Sequence, residues 1–252
     1  MEPKKRILII GGSSGIGLEL VNLCLDNNYL VIASSRNATR TEALIEQKNK
    51  FPKELELIDI DVSSKSIIKE KVKEAWNCFN GIDIWFYNAG AYDVMNIDSW
   101  DSEKFEQMNE INYLGVVRLM NELIPYFKKS NKGHWVWNSS LSSYFGLPNA
   151  GAYSAPKAAL VNLAQSIQPE LNSLNIKLQI VNHGFVKTRL TDKNTFEMPQ
   201  LMEADFTAKK ILEGIENSDS FEIRFPFILS LVLRIINLLP YSLSLALTKR
   251  SI

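Results

Sequence analysis

Cysteine is scarce in this sequence: Cys24 and Cys78 stand alone, with no CxxC pair and no Cys/His cluster at metal-ligand spacing. A disulfide framework or a zinc site has nothing to build on, and two reduced, half-buried thiols are expected, as in a cytosolic protein. Charge of one sign is missing too, since 28 Lys and Arg balance 28 Asp and Glu. Beyond Pro3-Lys4-Lys5-Arg6 there is no basic run, so the electrostatic footprint of a nucleic-acid-binding protein is absent. No internal repeat and no low-complexity linker divides the 252 residues, and one domain is expected. A secretory signal would need an apolar core and then a cleavage site, whereas Ile7-Leu8-Ile9-Ile10 runs straight into glycines.

That apolar run reads as a strand buried on both faces, Arg6 to Ile10. It ends in Gly11-Gly12-Ser13-Ser14-Gly15-Ile16-Gly17, and a helix follows through Leu25. Gly11 permits a tight turn, Gly15 lets backbone approach a pyrophosphate, and Gly17 allows a helix to pack closely on a strand. The helix amino terminus adds unpaired N–H groups and positive dipole, so a dinucleotide fits. The second strand, Leu30 to Ser34, lacks the acidic residue that would bind the ribose hydroxyls of NAD. Ser34-Ser35-Arg36 instead offers hydroxyls and a guanidinium suited to a ribose 2′-phosphate, with Arg40 as a second cation. A solvated basic loop is the plainer alternative.

Leu55 to Val62 reads as a third strand carrying Asp61 at its carboxyl edge, and Ser63 or Ser64 as the cap of a helix to about Trp76. Ile82 to Tyr87 is a fourth strand that breaks at Asn88-Ala89-Gly90, small residues that leave room for a ligand or simply turn. Ser102 to Lys129 is one long helical pattern containing Asn112 and Gly115, neither favoured inside a helix. A fifth strand, His134 to Asn138, precedes Ser140, and Ile176 to Val181 is a sixth, ending in Asn182-His183-Gly184. Residues 187–204 mix polar and large apolar groups without periodicity, as a lid over an apolar pocket would. A helix over Asp205 to Asn217 and a strand over Phe221 to Phe225 complete the pattern. Strands alternating with helices at this spacing imply right-handed β-α-β units, hence an α/β doubly wound parallel sheet with its ligand at the switch point.

The stretch Tyr153-Ser154-Ala155-Pro156-Lys157 puts a phenol and an ammonium four residues apart, on one face of a helix running to about Leu174. Opposite charge should pull the phenol down from a pKa of about 10 toward the range where it exchanges protons. A surface helical pair is the plainer alternative. Ser140, thirteen residues upstream at a strand's carboxyl end, points into the crevice of such a sheet.

These residues, in this order, resemble the classical short-chain dehydrogenase/reductase family over Arg6 to about Phe225. Gly11, Gly15 and Gly17 match its GxxxGxG loop, Asp61-Val62 its adenine contact, Asn88-Ala89-Gly90 its NAG segment, and Asn112, Ser140, Tyr153 and Lys157 its catalytic tetrad. The resemblance implies a single-domain Rossmann-type sheet of about seven strands flanked by helices. It implies a cofactor, NADP(H) rather than NAD(H), contacted by Gly11, Ser13, Ser14, Gly15, Ile16 and Gly17, by Arg36, and by Val186 and Thr188 at the carboxamide. Tyr153 would then exchange a proton with the substrate oxygen, Ser140 would hydrogen-bond it, Lys157 would hold the nicotinamide ribose and tune Tyr153, and Asn112 would anchor a water leading to solvent. A homodimer or homotetramer through the helices of Asn112 and Tyr153 follows by the same resemblance. The expected function is interconversion of a carbonyl and an alcohol on a small, apolar substrate. The alternative is a protein that senses NADP(H) without turnover. Four positions depart from the pattern. Ile10 replaces Thr and Tyr87 replaces a first Asn, removing two polar supports. Pro156 replaces Ser, tolerable in a first helical turn, and His183 replaces Pro, either meeting substrate or filling a structural place.

Residues 226–252 form an apolar helical extension to the 1–225 catalytic unit. Ser230, Arg234, Asn237, Tyr241, Ser244 and Thr248 recur as one narrow polar stripe among leucines and isoleucines, so burial on most sides is expected. Pro240 divides the segment into two short helices, too short to span a bilayer. The segment packs on protein or lies peripherally in a membrane interface with Lys249-Arg250 near the headgroups.

Overall fold

The structure is a computed structural model and describes residues 3–249. Its centre is β1 (Arg6–Ile10), buried on both faces and leading through the glycine loop into α1 (Gly15–Asp26). Then follow β2 (Leu30–Ser35), α2 (Glu42–Lys50), β3 (Leu55–Asp59), α3 (Ile68–Cys78) and β4 (Ile84–Tyr87). The second half holds α4 (Ser102–Asn109), α5 (Gly115–Ser130), β5 (Gly133–Asn138), α6 (Gly151–Ser173), β6 (Ile176–His183), α7 (Ala204–Asn217) and β7 (Glu222–Phe225). All strands pair in parallel in the order β3-β2-β1-β4-β5-β6-β7. The fold is thus the expected Rossmann-type sheet, with the direction of winding reversing between β1 and β4, where loops from neighbouring strands part and leave a crevice.

Because side chains alternate along a strand, each strand feeds two cores. Ile7 and Ile9 pack with Leu20 and Val21 of α1 and Ile211 and Leu212 of α7. Leu8 and Ile10 pack with Val72 of α3, Leu119 and Leu123 of α5 and Leu160 of α6. Each such side chain contributes about 1.5–3 kcal/mol when fully buried. The second core also carries Trp85, Trp135 and Trp137, all fully buried, with Trp85 opposite Trp135 across β4 and β5 and their rings 5.2 Å apart edge to face. Asparagine ends the helices: Asn28, Asn80, Asn131 and Asn175 follow α1, α3, α5 and α6 with φ of 64°, 55°, 48° and 55°. Its short amide tolerates the left-handed conformation that stops a helix and turns the chain back into a strand.

Four local expectations change. The third strand stops at Asp59, because Asp61 folds onto Ser63, accepting from its N–H at 2.9 Å and its hydroxyl at 2.6 Å, so α3 begins at Ile68 rather than at a serine cap. Helix α2 has no counterpart in the sequence reading, for Leu44 is its single buried residue and the amphipathic signal is weak. Cys24 is fully buried rather than half-buried; Cys78 is partly exposed, and both are free thiols. The long helix over Ser102 to Lys129 is interrupted by a π-turn, Glu110–Leu114, which holds Asn112.

The tail forms α8 (Phe227–Leu238) and α9 (Tyr241–Thr248), divided at Pro240 as expected. The burial expected on most sides is not seen, and the polar stripe is split, Asn237 and Tyr241 lying exposed. Ser230, Leu233, Ser244 and Thr248 are buried, while Phe227, Ile228, Leu238, Leu243 and Leu245 are each more than half exposed. Arg250 of the expected basic pair lies outside the described residues. No helix among the described residues is long and apolar enough to cross a membrane.

Candidate active site

The N–H groups of Gly11 and Gly12 both donate to Ser34 O, at 2.7 and 2.9 Å, which folds the glycine loop across the end of β2. Gly11 has φ +86°, and a Cβ there would lie 2.7 Å from Ala89 N. At Gly17 a Cβ would lie 2.0 Å from Gly11 O and 2.7 Å from Asn88 Nδ2, so α1 reaches the loop only without a side chain. Asn88 donates to Gly11 O at 3.0 Å and accepts from Asn138 Nδ2 at 2.8 Å, tying the ends of β1, β4 and β5 together. Tyr87 serves the π-turn, its hydroxyl donating to Ile111 O at 2.5 Å.

The N–H groups of Gly15, Ile16 and Gly17 meet no acceptor among the described residues, the Ser14 side chain does not cap them, and the first turn of α1 carries no acidic residue. Such a terminus, with Ser13 and Ser14 beside it, matches an anion. The Ile16 side chain is in the core, which leaves its N–H as the group on offer. Thr188 lies over this loop, since a Cβ on Gly15 would sit 3.0 Å from its methyl group, and Val186 is held in a bridge with Met202. Arg36 is exposed just after β2 with no ion pair or hydrogen bond among the described residues. Asp59, opposite Ser35, is no free ribose acid: it is occupied by Thr39, at 2.9 Å from N–H and 2.7 Å from hydroxyl. Asp61 keeps one carboxylate oxygen outside its turn with Ser63, and the Val62 carbonyl accepts from Arg118 at 3.1 Å. These donors fit a phosphorylated dinucleotide.

Ser140, Tyr153 and Lys157 come together beyond β5. Lys157 Nζ donates to Asn138 O at 2.8 Å and lies 5.7 Å from the centre of the Tyr153 ring, so the two residues do share a helical face. Ser142 N donates to Ser140 Oγ at 3.2 Å, which leaves the Ser140 proton to be given elsewhere. The expected lowering of Tyr153 is corrected here. Burial pushes its phenol up to about 12, the Ser140 hydroxyl pulls it back in part, and Tyr92, edge-on at 5.2 Å, adds to the rise. Burial also brings Lys157 down to about 7, because the ammonium is desolvated.

Asn112 is fully buried, and both ends of its amide are closed on Ala91, donating to O at 2.8 Å and accepting from N at 2.9 Å. It braces the π-turn against the segment after Gly90, whose own Cβ would lie 3.4 Å from Asn112 Oδ1. The amide does not join Ser140, Tyr153 and Lys157. His183 bonds Gly184 O at 2.7 Å and stacks on Phe225, and burial lowers it to about 4. Pro156 is the sixth residue of α6, beyond the first turn, so the Ala152 carbonyl has no N–H partner four residues on. The segment 187–204 is tied to the loop after β4, with Tyr92 Oη donating to Asn194 at 2.7 Å and Lys193 Nζ to Tyr92 O at 2.8 Å. Sequence reasoning passed over Asn138 and Tyr92. Asn138 had a local signal, directly before the serine pair at a strand end, whereas Tyr92 had none.

A family model described as short chain dehydrogenase matches residues 5–198. An uncharacterized oxidoreductase of Myxococcus xanthus is 28% identical over 243 residues, 96% of each chain. Among solved structures, a short-chain dehydrogenase from Streptomyces avermitilis superposes with a TM-score of 0.84 at 22% identity, over 98% of this chain and 96% of that one. Another, from Burkholderia cenocepacia in complex with NADP, gives 0.83 at 20% identity over 97% of each. With the sheet order, the glycine loop and the Ser-Tyr-Lys cluster in one crevice, the chain belongs to the short-chain dehydrogenase family.

Proposed function

We propose that the protein is an NADPH-dependent reductase of a small, apolar carbonyl compound, with Tyr153 as the proton donor. The observation that carries this reading is the Ser140, Tyr153 and Lys157 cluster lying after β5 at the same carboxyl edge of the parallel sheet as the unpaired N–H groups of α1. Gly11, Ser13, Ser14 and Gly15 to Gly17 would hold the pyrophosphate and Arg36 the 2′-phosphate. Asp61 and Val62 would meet the adenine, Asn88, Ala89 and Gly90 would line its path, and Val186 and Thr188 would take the carboxamide. A structural neighbour in complex with NADP supports this choice, as does the lack of a free acid beside Arg36. When bound, NADPH supplies a hydride to the carbonyl carbon.

The remaining steps belong to the chain. Ser140, whose oxygen accepts from Ser142 N–H, keeps its proton and donates a hydrogen bond to the substrate oxygen. Tyr153, a phenol throughout the neutral range, then gives its proton to the oxygen as negative charge develops there. Lys157, lowered by burial, can return a proton toward Tyr153. Asn112 keeps the π-turn and the NAG segment in register. Purified protein should oxidise NADPH with some member of a panel of aldehydes, ketones and quinones. Tyr153→Phe should abolish that turnover while keeping cofactor binding, and wild-type activity in the variant would remove Tyr153 from the role.

We further propose a homo-oligomer, checked by light scattering, and peripheral membrane contact through α8 and α9. The outward apolar side chains of both helices support the second, because a face of this kind is costly in water. In liposome flotation the protein should rise with vesicles and Leu231→Glu/Ile235→Glu should not. A folded protein that stays at the bottom defeats the membrane contact.

A further inference from the structure

The loop that carries Ser140 is held by a polar chain that ends in the C-terminal tail. Asn182, buried at the end of β6, accepts from Ser140 N–H at 3.2 Å and from Ser143 Oγ at 3.3 Å. Its Nδ2 donates to Glu222 Oε1 at 2.7 Å, and the Tyr144 hydroxyl donates to the same oxygen. The other carboxylate oxygen of Glu222 is bonded by Arg234 of α8, with Arg224 farther off at 3.8 Å. The Arg234 guanidinium also lies over the Tyr144 ring, 5.1 Å from its centre. Two points of the Ser140–Tyr144 loop, Ser140 through Asn182 and Tyr144 directly, therefore converge on one carboxylate whose close countercharge comes from the tail.

We propose that Arg234 and Glu222 are positioning residues for the reaction, setting the Ser140 hydroxyl through Asn182 and Tyr144. This rests on the reading of Ser140 as the group that orients the substrate oxygen. The physical reason is the direction of each bond. A carboxylate only accepts, so it obliges Asn182 to present its N–H end to β7 and its oxygen to Ser140. The Glu222 side chain is 14% exposed, so without Arg234 its charge is poorly solvated and its cheapest relief is to swing toward water, taking Asn182 and Tyr144 with it. Burial, aided by Glu222, pushes the Tyr144 phenol up to about 12, which keeps it a donor throughout this arrangement. A displacement of about 1 Å at Ser140 is enough to lower turnover severely while leaving the cofactor loop untouched.

The test uses the full chain with Arg234→Ala, Arg234→Lys, Glu222→Gln and Ser140→Ala, alone and combined. Amide hydrogen exchange of the 139–145 peptide needs no substrate and should speed up about 10-fold in Arg234→Ala, because the Ser140 N–H bond opens. NADPH affinity, read by fluorescence titration, should stay within about twofold of wild type. With 4-nitrobenzaldehyde or 9,10-phenanthrenequinone as probe, kcat should fall about 10-fold or more, Arg234→Lys should recover part of it, and Arg234→Ala should cost nothing further in the Ser140→Ala background. Unchanged exchange, or losses that multiply in the double variant, overturn the proposal. A crippled Ser140→Ala beside a fully active Arg234→Ala defeats the clamp alone. A fully active Ser140→Ala defeats the role of Ser140 and the clamp with it. If Arg234→Ala melts early, Glu222→Gln and Arg234→Lys carry the same comparisons.

Discussion

Gly115→Ala should destabilise this protein although it replaces a helical glycine. In an ordinary exposed helix the change would stabilise by about 1 kcal/mol. Here the new Cβ would lie 2.3 Å from the Tyr87 hydroxyl and 3.0 Å from Val62. Tyr87 cannot withdraw, because it is fully buried on β4 between β1 and β5 and its hydroxyl is fastened to Ile111 O. Overpacking of this kind costs about 1–3 kcal/mol. Losing the bond to Ile111 costs about 0.5–1.5 kcal/mol more. The midpoints leave a net loss of about 2 kcal/mol, which in a chain of this size lowers the melting temperature by about 4–8 °C. Thermal and urea denaturation, followed by circular dichroism, measure it. Tyr87→Phe removes the oxygen that the new methyl group would strike, so the double variant should cost clearly less than the two single changes together. A Gly115→Ala protein as stable as wild type, or strictly additive losses, would refute the account of how the π-turn is held.

Arg36→Ala should weaken NADPH by about 1.5–3 kcal/mol through loss of a charge-assisted bond and leave NADH nearly unchanged. Fluorescence titration with both cofactors decides it, and equal losses would sink the 2′-phosphate assignment. The buried Lys157 makes a pH prediction for the unliganded protein. Its folded-state pKa is about 7 against 10.5 for the free side chain, so between these values the unfolded chain binds a proton that the folded one has released. Stability therefore rises from about pH 7 upward, and the cost of the buried charge is fully present below that. Lys157→Met should melt higher than wild type at pH 6.5, with the gap narrowing steadily as pH rises from about 7 toward 10.5; a gap independent of pH would show that Lys157 is not held in a desolvated state.

What the amino-acid order determined alone were features built from neighbours in the chain. The run Arg6 to Ile10, the spacing of Gly11, Gly15 and Gly17, and the alternation of apolar strands with helices each state their structure within about a dozen residues. The order of Asn88, Ser140, Tyr153 and Lys157 along such elements was likewise enough to bring them to one edge of a parallel sheet. Tertiary structure decided what depends on surroundings. Proximity of Lys157 to Tyr153 is legible from a spacing of four, yet the pKa of either depends on how much water burial removes, and desolvation raised the phenol where charge pairing had implied a fall. Asn112 could be picked out as a polar residue out of place in a helix, but its side-chain partner, Ala91, and the π-turn that Tyr87 holds from another strand come from the tertiary structure. In the tail, periodicity grouped Ser230, Arg234, Ser244 and Thr248 on one face without saying which way that face points. Glu222, twelve residues before Arg234 and on another element, supplies one reason for the inward turn at that point: a partly buried carboxylate needs a countercharge, and Arg234 provides it, with Ser230, Ser244 and Thr248 buried on the same side while Asn237 and Tyr241 stay exposed.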